Sequence, residues 1–208
     1  MSEPRGIVCV VDDDESVREA IASLVRSVRL DVRTFESAQE FLAAGRIDAP
    51  TCLVLDVRLP GSSGLDLQRD LRARGATVPT VFLTGYGDVP MTVRAMRDGA
   101  IEFLIKPFRD QDLLDAIQQG LERSRGERRE QAELSELRQR RESLTPRERQ
   151  VMAAVVGGLP NKKIAAEFGT SEATIKLQRG QVMQKMRAGS LPELVRLAAR
   201  LSAWDAPH

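Results

Sequence analysis

The chain has 208 residues and a formal net charge of +1, and 42% of its residues are hydrophobic, which excludes a disordered or fibrous protein. Its apolar runs are far shorter than the about 18 residues that a membrane-spanning helix needs, and no basic-then-apolar leader opens the chain. We therefore expect no membrane segment, no export and a cytoplasmic protein. The single histidine is His208, which excludes internal sites that depend on imidazole, such as a Ser-His-Asp triad and most zinc sites.

The charge is divided unevenly along the chain. Residues 1–122 carry 14 basic and 20 acidic side chains, a net charge of −6, whereas residues 123–208 carry 17 basic and 10 acidic ones, a net charge of +7. An acidic half suits a divalent cation, and a basic half suits a polyanion, most simply nucleic acid.

Up to residue 122, short apolar runs alternate with segments of helical periodicity. The predicted strands are Ile7–Val11, Asp31–Phe35, Cys52–Leu55, Val81–Leu83 and Glu102–Ile105. The predicted helices are Glu15–Arg29, Ala38–Ala44, Leu65–Arg74, Pro90–Arg97 and Asp110–Glu122. Because the strands are continuously apolar, we predict an α/β domain with a doubly wound, five-stranded parallel sheet that binds ligands at the carboxyl ends of its strands. Cys9 and Cys52 lie inside apolar runs without metal-ligand spacing, which predicts buried, reduced thiols.

Residues 123–143 are rich in Arg, Glu, Gln and Ser, with Leu134 and Leu137 as their only large apolar residues. Opposite-charge pairs can keep such a segment helical, but its apolar stripe is too narrow for firm packing. We predict a helical linker that extends the preceding helix, with Gly126 as its weak point.

Residues 144–208 are predicted to form a separate all-α domain of short helices. Thr145 and Ser190 each open a capping-box pattern with a proline nearby. Asn161 is expected to cap a second short helix, and Ser171 a longer one. A tight glycine-containing turn between these two helices predicts a helix-turn-helix.

Polar side chains follow four of the five predicted strands. Asp12 and Asp13 follow the first strand, Asp56 the third, Thr84 the fourth and Lys106 the fifth. Because the carboxyl ends of parallel strands converge on one crevice, we expect these groups to meet. Clustered carboxylates repel one another unless a cation intervenes, which predicts a hard, oxygen-ligated metal, Mg²⁺ (or Mn²⁺).

The hydroxyl and the ammonium in this crevice indicate that a phosphoryl group binds there. Thr84 can donate a hydrogen bond and Lys106 offers a positive charge to phosphoryl oxygens. Asp56 would be the nucleophile and become an acyl phosphate. For Asp14 and Glu15, which open the first helix, we favour a helix N-cap role instead.

Four segments carry a resemblance to a known family. They are Val10-Val11-Asp12-Asp13-Asp14, Leu53-Val54-Leu55-Asp56-Val57-Arg58-Leu59-Pro60-Gly61, Leu83-Thr84-Gly85 and Ile105-Lys106-Pro107-Phe108. With these segments in this order, residues 1–122 resemble the receiver domain of two-component response regulators, which implies a flavodoxin-like fold and phosphorylation of Asp56 by a sensor histidine kinase. The implied metal ligands are Asp12, Asp13, Asp56 and the backbone carbonyl of Arg58. The resemblance also implies a cis Lys106–Pro107 bond and a rotating switch residue at Phe103.

An enzyme is the alternative for this domain. Mg²⁺-dependent phosphatases of the haloacid dehalogenase type also phosphorylate an aspartate, but they need a second Asp two residues further on to activate water. Arg58 occupies that position here. We therefore expect no enzyme beyond self-catalysed, Mg²⁺-dependent acceptance of a phosphoryl group, with phosphate persisting on Asp56. Arg58 and Tyr86 flank the site and are expected to influence the lifetime of the phosphate.

A second resemblance covers residues 144–203. It rests on Leu144-Thr145-Pro146-Arg147-Glu148-Arg149, Gly158-Leu159-Pro160-Asn161-Lys162-Lys163-Ile164-Ala165, Ser171-Glu172-Ala173-Thr174-Ile175-Lys176 and Gln184-Lys185-Met186. These segments resemble the LuxR-type DNA-binding domain, whose longer helix would enter the major groove of duplex DNA. Many family members have His where Gln178 stands.

The residues between Ser171 and Lys185 support that expectation. Ile175, Val182, Met183 and Met186 form an inner apolar stripe. The predicted DNA contacts are Asn161, Lys162, Ser171, Thr174, Lys176, Leu177, Gln178, Arg179, Gln181 and Lys185. Gln178 and Gln181 could read base edges. Gly180 is unusual in mid-helix, where it costs up to about 1 kcal/mol relative to Ala, and close approach of the backbone to DNA would explain it.

The order of receiver, helical linker and LuxR-type domain is similar to that of the NarL/FixJ class of response regulators, and residues 85–96 look like its FixJ/StyR/TodT branch. We predict that phosphorylation changes a surface on the fourth helix and fifth strand, promotes a homodimer and increases sequence-specific binding to promoter DNA. Transcription would be regulated, and we expect activated, with RNA polymerase as a candidate partner. Two other hypotheses stay open: a DNA-binding regulator independent of phosphorylation, and an adaptor whose basic domain binds protein.

Overall fold

The computed structural model describes residues 5–45, 47–85 and 89–205. The chain divides into two compact units, Met1–Arg128 (unit 1) and Arg129–His208 (unit 2). Each unit has hydrophobic clusters of its own. Within the described ranges, no helix is long and apolar enough to cross a membrane.

Unit 1 has a five-stranded parallel sheet, as predicted. The strands formed by the described residues of unit 1 are β1 (Ile7–Val11), β2 (Asp31–Phe35), β3 (Thr51–Asp56), β4 (Arg58–Leu59), β5 (Ser62–Ser63), β6 (Thr80–Thr84) and β7 (Glu102–Ile105). The sheet has the order β2-β1-β3-β6-β7, and β4 and β5 form a separate antiparallel pair. β3 and β6 are buried along their whole length, which explains why their sequences do not alternate between apolar and polar residues.

Helices cover both faces of the sheet. They are α1 (Glu15–Ser27), α2 (Ala38–Ala43), α3 (Gly64–Ala73), α4 (Val89–Arg97) and α5 (Asp110–Glu142). One hydrophobic cluster contains Phe41 of α2 and Leu67 of α3, and the other contains Ile21 of α1 and Ile117 of α5. Because successive strand residues point to opposite faces, each buried strand contributes to both clusters.

Local signals determine where α1 and α3 begin. Asp14 is the N-cap of α1, as expected, since its carboxylate accepts hydrogen bonds from the backbone N–H groups of Ser16 and Val17. At α3, Ser63 and Asp66 form a capping box. The first residue of α3 is Gly64, where a Cβ would collide with the backbone carbonyl oxygen of Asp56. The absence of a side chain therefore allows α3 to start directly against the end of β3.

The sequence predicts a helical linker that extends the preceding helix, and α5 runs as one helix from Asp110 to Glu142. In unit 1, the Ser124 hydroxyl accepts a hydrogen bond from the Thr51 N–H at 3.0 Å, and Arg128 pairs with Asp48 at 2.6 Å. In unit 2, Leu137 is buried in the hydrophobic cluster. Residues of the predicted linker therefore belong to the packed structure of both units.

Up to residue 205, unit 2 contains the end of α5 and the helices α6 (Pro146–Val156), α7 (Asn161–Glu167), α8 (Glu172–Met186) and α9 (Leu191–Asp205). The predicted capping box at Thr145 and the predicted cap at Ser171 are confirmed. The expected cap at Asn161 is wrong: Pro160 takes the N-cap position without a side-chain hydrogen bond, and Asn161 is the first helical residue. Pro160 has no side-chain acceptor, and its backbone carbonyl accepts hydrogen bonds from the N–H groups of Lys163 at 2.9 Å and Ile164 at 3.1 Å.

The pattern at Ser190 forms only in part. The Ser190 hydroxyl accepts a hydrogen bond from the Glu193 N–H at 3.4 Å, as in a capping box. The Glu193 carboxylate, however, accepts from the N–H of Gly189 rather than from that of Ser190. The return half of the box is therefore shifted by one residue.

Both cysteines are buried free thiols, as predicted. Burial raises the pKa of Cys9 to about 12 and also raises the pKa of Cys52. The two thiols stay neutral at physiological pH and pack as small apolar side chains.

Candidate functional site

Three carboxylates meet at the carboxyl ends of β1 and β3. Asp12 and Asp56 are buried, with 1% and 7% of their surface exposed, whereas Asp13 is exposed. Carboxylate oxygens of the three residues lie within 4.8 Å of one another. Because β1 and β3 are neighbours in the sheet, residues far apart in the chain come together at this edge.

The ammonium of Lys106 lies between the two buried carboxylates. Its Nζ donates to Asp12 Oδ2 at 2.7 Å and to Asp56 Oδ2 at 2.5 Å. Burial raises the pKa of Asp12, although the hydrogen bond from Lys106 opposes this shift. Burial lowers the pKa of Lys106, but its hydrogen bonds to both carboxylates outweigh that effect, so the net shift is upward. Lys106 is therefore a fixed positive charge at neutral pH.

Backbone groups orient the same carboxylates. The Arg58 N–H donates to Asp56 Oδ1 at 2.7 Å, and the Asp14 N–H donates to Asp12 Oδ1 at 3.0 Å. A third contact, from Arg18 of α1, was missed by sequence reasoning: its guanidinium donates to the backbone carbonyl of Asp12 at 2.7 Å. A basic residue four positions after the Asp14 N-cap could have predicted this contact, because the first turn of α1 directly follows the loop that contains Asp12 and Asp13.

Thr84 and Lys106 are joined through the backbone. Thr84 ends β6 with 1% of its surface exposed, and its carbonyl accepts a hydrogen bond from the Lys106 N–H at 2.7 Å. The Lys106–Pro107 bond is cis, as the resemblance implied. Phe103 is buried, with its ring centroid 6.2 Å from that of Phe82. The described conformation therefore holds the expected switch residue inside the core.

The donor set fits a divalent cation. Three carboxylates against the single ammonium of Lys106 leave an excess of negative charge, and carboxylate oxygens are the ligands that Mg²⁺ prefers. The side chain of Arg58 is exposed and offers no carboxylate to activate water. Tyr86, which the sequence places beside the phosphoryl group, lies outside the described residues.

The second candidate surface is the outward face of α8. Ile175, Val182 and Met186 are buried, as the predicted stripe requires, and Met183 is half-buried. The predicted contact residues that this face exposes are Ser171, Thr174, Lys176, Leu177 and Gln181. Lys162 of α7 is also exposed, whereas Asn161, Gln178, Arg179 and Lys185 are half-buried.

Three of the predicted DNA contacts make side-chain hydrogen bonds that connect α8 to other parts of unit 2. The Lys185 ammonium donates to the buried Glu148 carboxylate at 2.6 Å and to the Ser143 carbonyl at 3.3 Å. Arg179 donates to Asn161 Oδ1 at 3.4 Å. These side chains therefore hold α8 against α6 and α7, a role that the sequence pattern did not reveal.

Two family models match the chain. The response regulator receiver domain matches residues 8–118, and the LuxR family of bacterial regulatory proteins matches residues 142–198. The chain therefore belongs to the response regulators that join a receiver domain to a LuxR-type DNA-binding domain. This confirms the predicted family, the flavodoxin-like receiver fold and the separate helix-turn-helix domain.

Individual relatives resemble the chain over most of its length. Nodulation protein W of Bradyrhizobium diazoefficiens is 51% identical over 197 residues, which cover 95% of this chain and 87% of the relative. The transcriptional regulatory protein FixJ of Azorhizobium caulinodans is 47% identical over 191 residues, which cover 92% and 90%. The solved structure of the response regulator StyR is 48% identical, with a TM-score of 0.85 over 94% of this chain and 99% of its own.

Proposed function

We propose that this response regulator is a transcription factor controlled by phosphorylation of Asp56 by a sensor histidine kinase. The observation that carries the proposal is the ammonium of Lys106 between Asp12 and Asp56. The Asp56 carboxylate accepts a hydrogen bond from the Arg58 N–H at one oxygen and from Lys106 at the other, and these two bonds orient it for attack on phosphorus. The positive charge of Lys106 can stabilise the negative charge of the phosphoryl group.

The transfer would proceed by in-line displacement. An Asp56 carboxylate oxygen forms a bond to phosphorus as the phosphorus–nitrogen bond of the kinase phosphohistidine breaks, and the electron pair of that bond returns to the imidazole. Lys106 and the Thr84 hydroxyl would then bind the phosphoryl oxygens. The residues that would hold Mg²⁺ or Mn²⁺ are Asp12, Asp13, Asp56 and the Arg58 carbonyl. The bound cation would neutralise phosphoryl charge.

The phosphorylated form is proposed to dimerise through α4 and β7. Val93 and Met96 of α4 and Ile105 of β7 are large apolar residues with 43%, 42% and 54% of their surface exposed. Such residues on two adjacent elements favour a protein contact. Movement of Thr84 towards the phosphoryl group would reorder the loop after β6, and rotation of Phe103 would change this surface.

The homodimer would bind promoter DNA through α7 and α8. The proposed contacts are Asn161, Lys162, Ser171, Thr174, Lys176, Leu177, Gln178, Arg179, Gln181 and Lys185. Two linked binding modules gain affinity through effective concentration, which explains how dimerisation increases DNA binding. Transcription would be activated through RNA polymerase. The proposed division is a receiver at 1–122, a helical linker at 123–143 and a DNA-binding domain at 144–208.

The test measures phosphate incorporation and mass in solution. Wild type, Asp56→Ala and the control Asp70→Ala, which changes an exposed carboxylate of α3, are treated with acetyl phosphate and Mg²⁺. We expect wild type and the control to incorporate phosphate and to shift from monomer to dimer by light scattering, and Asp56→Ala to do neither. Phosphate retained by Asp56→Ala would contradict the proposed acceptor.

Measurements of DNA binding separate the proposal from the two alternatives. Specific DNA binding of equal strength in wild type and Asp56→Ala would favour a regulator independent of phosphorylation. Binding to DNA that falls steeply with added salt is expected for a nucleic-acid partner. Absence of DNA binding at low salt would favour the protein-binding adaptor.

A further inference from the structure

We infer that Gly180 sets how closely α8 approaches the base edges in the major groove of duplex DNA, an inference that rests on the proposed DNA-binding function. Gly180 lies in mid-helix, where glycine lowers helix stability relative to alanine. It is not one of the glycines with a positive φ, and a Cβ built on it would meet no atom within 4 Å. Within the described residues, nothing in the fold therefore requires a glycine at this position.

Gly180 lies on a neutral strip along the outward face of α8. Ala173, Leu177, Gly180 and Gln184 follow one another at intervals of four, three and four residues, which places them on one side of a helix. All four are exposed, and Leu177 has 65% of its surface accessible. The buried Ile175 lies on the opposite side. The centre of the outward face is thus uncharged, and at Gly180 it has no side chain.

The charge around this strip favours DNA as the partner that binds it. Residues 161–187 carry six basic and two acidic side chains. Lys176 is exposed beside the strip, and Lys162 and Lys163 are exposed on α7. A major groove has neutral base edges on its floor and phosphates on both rims, and it admits an α-helix. A helix face with a neutral centre and the exposed Lys176 at one margin fits that distribution of charge.

A glycine at the centre of the face lets the helix backbone approach the base edges without an intervening Cβ. A methyl group added at position 180 would move the helix outwards or force its neighbours to shift, because packed interfaces do not absorb extra volume without cost. The distances from Leu177 and Gln181 to the base edges would then increase. The added methyl is therefore expected to weaken DNA binding even though it strengthens the helix.

The chain offers a matched control for this substitution. Gly126 also lies in mid-helix, is exposed, and has no atom within 4 Å of a built Cβ. Gly126→Ala therefore makes the same chemical change in the part of α5 that belongs to unit 1. The full-length wild type, Gly180→Ala and Gly126→Ala are compared after treatment with acetyl phosphate and Mg²⁺. The probe is the duplex that wild type enriches from a randomised DNA pool.

We expect Gly180→Ala to bind the enriched duplex about tenfold more weakly than wild type, and Gly126→Ala to bind it with wild-type affinity. The thermal midpoint of unit 2, followed by the fluorescence of Trp204 in α9, should not fall in Gly180→Ala. Lower stability accompanying the lost affinity would overturn the inference.

Two other outcomes are decisive. If Gly180→Ala binds the duplex as tightly as wild type, Gly180 does not set the approach of α8, and the proposed DNA binding stands. If wild type enriches no duplex from the pool, the proposed DNA-binding function fails, and this inference fails with it.

Discussion

The Lys185 ammonium and the Glu148 carboxylate form an ion pair of 2.6 Å that joins the end of α8 to the first turn of α6. Glu148 is buried, with 4% of its surface exposed, and it also accepts a hydrogen bond from the N–H of the Thr145 N-cap. One carboxylate therefore completes a capping box and fixes a second helix. This pair links the stability of unit 2 to the placement of the helix proposed to bind DNA.

Lys185→Met should destabilise unit 2 by about 1–3 kcal/mol, because it leaves a buried carboxylate without its charged partner. Urea unfolding followed by Trp204 fluorescence measures the change. The double variant Glu148→Gln/Lys185→Met should recover part of the loss, since the unpaired charge is gone. Equal stability of wild type and Lys185→Met would show that the pair contributes nothing.

The stability of unit 2 should fall in acid through Glu148. The hydrogen bond from Lys185, followed by that from the Thr145 N–H, lowers the pKa of Glu148 below its ordinary value of 4.5. A carboxyl whose pKa is lower in the folded state stabilises the fold above its unfolded pKa, and this contribution disappears as pH falls through the folded pKa. Thermal midpoints of wild type should therefore decrease below about pH 4.5 more than those of Glu148→Gln.

Lys106→Ala should destabilise the sheet edge of unit 1 by about 3 kcal/mol in the absence of divalent cations, because Asp12 and Asp56 lose the ammonium between them. Faster hydrogen exchange in the β1 and β3 peptides would report this. Adding Mg²⁺ should restore protection in the variant more than it adds protection in wild type. The control Lys162→Ala, which removes an exposed lysine of α7, should leave exchange in these peptides unchanged.

Gly64→Ala should destabilise unit 1 by about 1–3 kcal/mol, because the added Cβ overlaps the backbone carbonyl oxygen of Asp56 and either α3 or the end of β3 must move. The same displacement should slow acceptance of phosphate from acetyl phosphate. Gly126→Ala, with open space around its Cβ, should instead stabilise its helix by up to about 1 kcal/mol. Wild-type stability and phosphorylation in Gly64→Ala would contradict the close approach.

Much of the fold could be predicted because its signals are local. Short runs with apolar residues, alternating with segments of helical periodicity, predicted five strands, and the sheet contains all five in parallel. Asp14, Thr145 and Ser171 cap helices as their side-chain chemistry suggested, since an N-cap needs only an acceptor next to free backbone N–H groups. The cap expected at Asn161 is wrong because α7 begins at Asn161 itself, so that the N-cap position falls on Pro160.

The residues of the acidic site could also be predicted from the sequence, because each of them lies at or just after the carboxyl end of a strand. The hydrogen bonds between them could not be predicted. Lys106 reaches Asp12 across 94 residues and Asp56 across 50, and the choice of these two oxygens depends on which strands are neighbours. The contact of Gly64 with the Asp56 backbone and the pairing of Lys185 with Glu148, 37 residues apart, likewise depend on how helices pack.

The order of the five sheet strands and the identity of the acidic residues could thus be predicted, because periodicity and strand-end placement act over a few residues. The family followed from the resemblance of short motifs to those of response regulators. The tertiary structure was needed to show that Ser124 and Leu137 of α5 are buried, one in each unit, and that Lys185 bonds to Glu148. It also showed that Gly180 has open space around it. These features depend on distances between segments remote in the chain, which only packing fixes.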